Sequence, residues 1–107
     1  MLQELKTSDE FNKKLGSGER FYIFKHSTRC NVSEGAHSKI QTFLNSTEVP
    51  VYLVYVVENR SLSNEIEDVT GVRHESPQLL VIENGNVVAH TSHFKIDEHY
   101  LNEHVTV

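Results

Sequence analysis

Arg20-Phe21-Tyr22-Ile23-Phe24-Lys25-His26-Ser27-Thr28-Arg29-Cys30-Asn31-Val32-Ser33 is the stretch on which the fold turns. Residues 20–25 are aromatic and β-branched, which suits a buried strand. Beyond the cysteine, apolar residues recur at Val32, Ala36, Ile40, Phe43 and Leu44, the spacing of one helix face. That stripe reads as core, and Ser33 and His37 share a neighbouring face. Cys30 therefore stands where a strand hands over to a helix. The first turn of a helix has unpaired N–H groups and the positive end of the dipole, and both stabilise a thiolate. The thiolate is the attacking species in sulfur exchange.

Cys30 is the chain's single cysteine, so it has no internal disulfide and no resolving partner. The plain alternative for a lone cysteine is a small buried hydrophobe. Polar neighbours on both sides and the strand-to-helix position favour a working thiol. Ser33 lies one helical turn on, where a resolving thiol would sit. Its hydroxyl can donate a hydrogen bond to the sulfur but cannot expel a bound partner; otherwise it is a solvated first-turn serine. His26 reads as a strand-end residue, not a base.

The 107 residues suit one domain, spanning 1–107, large enough to bury a core without staples. An apolar content of 37% with 23% charged residues is that of a soluble globular chain. A net charge of −5 argues against a nucleic-acid surface, which needs clustered Lys and Arg. The first residues lack a basic and then apolar signal-peptide pattern, and the longest apolar run, 49–57, is too short to span a bilayer as a helix. The expectation is a cytoplasmic protein, a compartment that suits a free thiol.

Outward from the centre, Leu2 to Lys6 reads as a short edge strand, and Thr7-Ser8-Asp9-Glu10 as a capping box. Phe11 and Leu15 share a helix face, and Gly16-Ser17-Gly18 stops that helix. Val51 to Val57 is nearly all apolar, as in a strand covered on both faces. Ser61 reads as the cap of a helix through Ile66 and Val69, closed by Gly71. Leu79 to Glu83 and Val87 to His90 flank the hairpin signal Asn84-Gly85-Asn86, and Ile96 to His104 reads as a last helix. The order is β-α-β-α-β-α-β-β-α, with a parallel middle β-α-β unit and an antiparallel final pair.

This pattern resembles the thioredoxin superfamily along its whole length, with Cys30-Asn31-Val32-Ser33 standing where a C-x-x-C motif would be. His26-Ser27-Thr28-Arg29-Cys30, Ser63-Asn64-Glu65-Ile66 and above all Gly71-Val72-Arg73-His74-Glu75-Ser76-Pro77-Gln78 are similar to the monothiol bacilliredoxins. One departure is Asn31, where that family usually has proline. The resemblance implies an α/β fold of thioredoxin type, three layers with a central mixed sheet and helices on both faces. It implies a thiol–disulfide oxidoreductase that removes bacillithiol, a small cysteine-containing thiol, from mixed disulfides on client proteins. Bacillithiol would be co-substrate, with no tightly bound cofactor, and its disulfide reductase would be a partner beside the clients.

By the same resemblance, Cys30 is the nucleophile and Ser33 its support. Ser76-Pro77 is the expected cis-proline bend, whose Ser76 main chain pairs with the incoming disulfide like a short added strand; otherwise Pro77 is a strand-entry residue. Arg29 is expected to pair with bacillithiol carboxylates, Asn31 to be a substrate-binding residue beside the thiol, and His74, Glu75 and Gln78 to lie against the sugar or malate. For these the plain alternative is a solvated loop residue. No metal site is expected. The seven histidines include His90, His93, His99 and His104, but H-x-x-H in a strand or loop does not aim both rings at one ion.

Three rivals remain at this point. One is a glutaredoxin-like enzyme using another small thiol. Another is an iron–sulfur carrier, although the Gly-Phe pair between Cys and Ser of such carriers is absent. The last is a redox-inert adaptor that kept only the fold.

Overall fold

A computed structural model describes residues 2–104. Strand β1 (Leu2–Glu4) leads to helix α1 (Ser8–Leu15), β2 (Phe21–His26), α2 (Asn31–Leu44), β3 (Val51–Tyr55) and α3 (Arg60–Thr70). The hairpin β4 (Gln78–Glu83) and β5 (Asn86–Ser92) follows, then a 3-10 turn (His93–Lys95) and α4 (Glu98–Glu103). The five-stranded sheet has the order β1-β3-β2-β4-β5. The pairs β1–β3 and β2–β3 are parallel, whereas β2–β4 and β4–β5 are antiparallel. The expected order and strand directions are those found.

Side-chain alternation along the central strands builds a core on each face. Tyr22 and Phe24 pack with Ala36, Ile40 and Phe43 of α2 and Leu101 of α4. Phe21 and Ile23 point the other way, onto Phe11 of α1 and Leu62 and Ile66 of α3. Each such side chain, fully removed from water, contributes about 1.5–3 kcal/mol. The buried Tyr22 hydroxyl donates to the Leu101 carbonyl at 2.8 Å, which fastens α4 over the sheet.

The capping box forms as read: Thr7 Oγ1 accepts the Glu10 N–H, and the Glu10 carboxylate accepts the Thr7 N–H. The β4–β5 turn is the two-residue Asn84-Gly85, with φ of 52° and 77°, as a type I′ hairpin requires. Ser61 does not cap α3. The helix begins two residues earlier, at Arg60, with Asn59 at the N-cap position, and the Asn59 side chain donates to the Lys6 carbonyl instead. β3 stops at Tyr55, because Asn59 N–H bonds the Tyr55 carbonyl and turns the chain into α3.

Candidate active site

The register of β2 against β4 determines what meets at the functional end of the sheet. Lys25 pairs with Gln78. The chain leaving β2 toward Cys30 and the chain entering β4 through Ser76-Pro77 thus occupy one edge. His93 N–H donates to the Pro77 carbonyl at 3.0 Å, bringing the end of β5 to the same place. The Ser76–Pro77 peptide bond is cis.

Cys30 is the N-cap residue of α2, with an extended backbone at φ −118° and ψ 122°. Its N–H closes a turn onto the Ser27 carbonyl at 3.3 Å, and its carbonyl accepts the Glu34 N–H at 3.0 Å. The thiol is free and partly exposed. It caps no backbone group, so the sulfur stands at the open N-terminus of a 14-residue helix. Arg29 and Asn31 flank it and are exposed. Asn31 is the first helical residue.

Ser33 differs from both sequence readings. It is fully buried. Its Oγ lies 2.6 Å from His26 Nδ1 and accepts the Ser27 N–H at 2.9 Å. Its partners are thus His26 and Ser27, not the Cys30 sulfur. The N3 position of α2 faces the sheet, and the polar end of β2 offers it two groups needing partners.

His26 ends β2 and is 2% exposed. Its ring stacks on His37 of α2, with centroids 4.8 Å apart and planes 16° from parallel, and on Phe24. Nε2 faces the Glu34 carboxylate at 3.5 Å. Burial holds its pKa below the usual histidine value, and His37 adds to the effect against opposition from Glu34 and Glu58. Neutral His26 with its proton on Nε2 leaves Nδ1 to accept the Ser33 hydroxyl.

Gln78 also departs from its expected place. It is 1% exposed, so its side chain lies in the interior and not at the surface. As the first residue of β4, its side chain turns inward, where Nε2 donates to the Arg73 carbonyl at 2.8 Å. Gln78 Oε1 and Ser76 Oγ are buried without a partner among the described residues. His74 is half-buried, with Nδ1 3.3 Å from Lys25 Nζ and 3.3 Å from Ser63 Oγ. Glu75 is exposed and pairs with His93, Oε1 to Nε2 at 3.3 Å. Among the described residues, no group of three or more His, Cys, Asp or Glu side chains is placed to hold a metal ion.

The sequence reading missed Lys25. Its signal was a cation inside a run otherwise read as buried, and the structure gives it no solvent exposure at all.

A family model, monothiol bacilliredoxin BrxC, matches residues 3–101. The chain belongs to the monothiol bacilliredoxin family. Among solved structures, this bacilliredoxin is similar to a protein described as an oxidoreductase with a thioredoxin fold. The TM-score is 0.91 at 28% identity, over 98% of this chain and 94% of the other. A thioredoxin of Malassezia sympodialis matches with TM-score 0.78 and 19% identity, over 96% of this chain and 86% of that one. A thioredoxin variant from Halobacterium salinarum gives 0.77 and 17%, over 99% and 92%. The last two show the fold alone. Fold and family together make this bacilliredoxin a thiol–disulfide oxidoreductase with one cysteine, and no helix among its described residues is long and apolar enough to cross a membrane.

Proposed function

We propose that this protein removes bacillithiol from protein mixed disulfides through Cys30 alone. The observation that carries the reading is a free, partly exposed thiol at the N-cap of α2 with no second cysteine in the chain. The Cys30 thiolate attacks the bacillithiol sulfur of the mixed disulfide. The S–S bond to the client breaks, the client leaves as a thiolate and takes up a proton, and a Cys30–bacillithiol disulfide remains. A second bacillithiol thiolate attacks the bacillithiol sulfur of that adduct and expels the Cys30 thiolate. The resulting bacillithiol disulfide passes to a separate reductase.

The first turn of α2 leaves N–H groups open beside Cys30, where they can donate to the sulfur as it attacks and as it leaves. The main-chain N–H and carbonyl of Ser76 have no backbone partner among the described residues, so an extended client segment can pair there. Exposed Arg29 is the partner for bacillithiol carboxylates, and Asn31 lines the mouth beside it. A reducing compartment, the cytoplasm, keeps the thiol available.

The test is intact mass after incubation with oxidised bacillithiol or oxidised glutathione. The reading expects the bacillithiol adduct to form faster and Cys30→Ser to form none. A preference for glutathione would replace the reading with a glutaredoxin-like one.

A further inference from the structure

Lys25 is the most unusual polar group in the molecule, because a lysine with no solvent exposure is rare unless its ammonium is fully engaged. It lies on the α1–α3 face of β2, opposite Gln78. Its Nζ donates to the Ser63 carbonyl of α3 at 2.9 Å and lies 3.3 Å from His74 Nδ1. An ammonium only donates, so His74 Nδ1 must accept. Ser63 Oγ, also 3.3 Å from that nitrogen, then serves as a second donor. Those partners assign the imidazole proton to Nε2, on the ring edge turned away from the buried lysine.

We propose that Lys25 is a positioning residue for disulfide exchange: its buried ammonium holds His74 in the Nε2–H form, and that N–H donates to a carboxylate of the small thiol docking beside Ser76-Pro77. This rests on the exchange reading above and adds to it the means of recognising an acidic thiol.

The charges around the pair suit the role. Lys25 faces Glu67 of α3 and His74, and His74 faces Lys25, Arg60 and Glu67 of α3 and Glu75 of its own loop. Burial brings Lys25 down to about 8, against opposition from Glu67, so it is protonated at neutral pH. Burial first and Lys25 second push His74 below the usual histidine value, which keeps the ring neutral. Arg60 and Arg73 have no carboxylate within ion-pair distance among the described residues. Around His74 the cations Lys25, Arg60 and Arg73 thus meet the carboxylates Glu67 and Glu75, of which Glu75 is taken up by His93, although the chain as a whole carries −5.

The experiment joins imidazole nitrogen NMR of wild type with kinetics on a peptide carrying bacillithiol as a mixed disulfide. The NMR is expected to show His74 as the Nε2–H tautomer at neutral pH; the Nδ1–H tautomer overturns the proposal. Lys25→Met is expected to raise KM about tenfold, the loss of one charge-assisted hydrogen bond, with kcat little changed. Lys25→Arg is expected to restore most of that loss. His74→Phe keeps a ring without the donor and is expected to raise KM equally, so it serves even where Lys25→Met does not fold. The double variant should be no worse than His74→Phe, because Lys25 acts through His74. With a cysteamine-capped peptide, which has no carboxylate, KM should be the same for wild type and variants. Unchanged KM for the bacillithiol peptide in folded Lys25→Met and in His74→Phe overturns the role. No turnover by wild type, with the ring in the Nε2–H form, overturns the exchange reading and the role of Lys25 with it.

Discussion

Ser33 Oγ lies 2.6 Å from His26 Nδ1, and this contact joins the end of β2 to the first turn of α2 on either side of Cys30. The same oxygen accepts the Ser27 N–H, so one hydroxyl satisfies two buried groups in the loop that holds the nucleophile. The serine of the C-x-x-S motif is therefore a fastening for the thiol's loop. That loop is held by hydrogen bonds, and its tolerance of change follows from them.

Ser33→Ala leaves the Ser27 N–H and His26 Nδ1 without a partner inside the protein. Each buried unsatisfied group costs about 1–3 kcal/mol. Thermal unfolding should fall by roughly 4–8 °C for each kcal/mol lost. A melting temperature equal to wild type would show that the Ser33 contacts contribute nothing.

Acid should loosen the same region. The pKa of His26 is lower in the folded protein than in the unfolded chain, chiefly through burial. The unfolded state then binds the extra proton first, so stability rises with pH across that window. It is fully present above about pH 6.5, the unfolded histidine value, and declines as pH falls toward the folded one. Melting curves between pH 7.5 and 5 should show the decline, and His26→Gln should make it shallower, the remainder coming from His74, whose pKa burial also lowers. An identical slope in the variant would assign the acid sensitivity to another group.

Asn31→Pro should stabilise the helix start. Asn31 is the first residue of α2, its N–H has no backbone partner, and Cys30 before it is already extended, as a residue preceding proline must be. The gain should be about 0.4–1 kcal/mol, through a stiffer unfolded chain. Chemical denaturation of the two proteins measures it, and a loss of stability would mean that the Asn31 N–H has a role not seen here.

Gly71 ends α3 with φ of 74° and donates its N–H to the Glu67 carbonyl. The space around it is open, so Gly71→Ala meets no clash and pays only for the left-handed backbone. The cost should be about 1–2 kcal/mol in the midpoint of denaturation. No change would mean that the loop to His74 relaxes to another conformation.

The fold was legible because its signals are local and agree with one another. The capping box at Thr7, the Asn84-Gly85 turn and the alternating apolar strands each specify one element, and strand directions follow from connection lengths. The thiol's position was legible for the same reason, since a strand run, a polar turn and a helix stripe bracket Cys30. Side-chain direction within the site was not. Ser33 was read as facing the Cys30 sulfur or solvent and Gln78 as facing a ligand, but each turns inward to a partner that the loops bring to it: His26 across the β2–α2 loop, and the Arg73 carbonyl across the cis-proline bend. Lys25 needs Ser63 and His74 to make sense, and only tertiary packing brings α3 and the 71–77 loop to it.

The account depends on a thiol made reactive by the place where it sits. Alkylation of Cys30 by iodoacetamide at neutral pH, measured on the folded protein and on the same chain unfolded in urea, tests this most directly. Faster reaction is expected in the folded protein, because the open N–H groups of the first turn of α2 stand beside the sulfur only when the helix exists. Equal or faster reaction in the unfolded chain would contradict it.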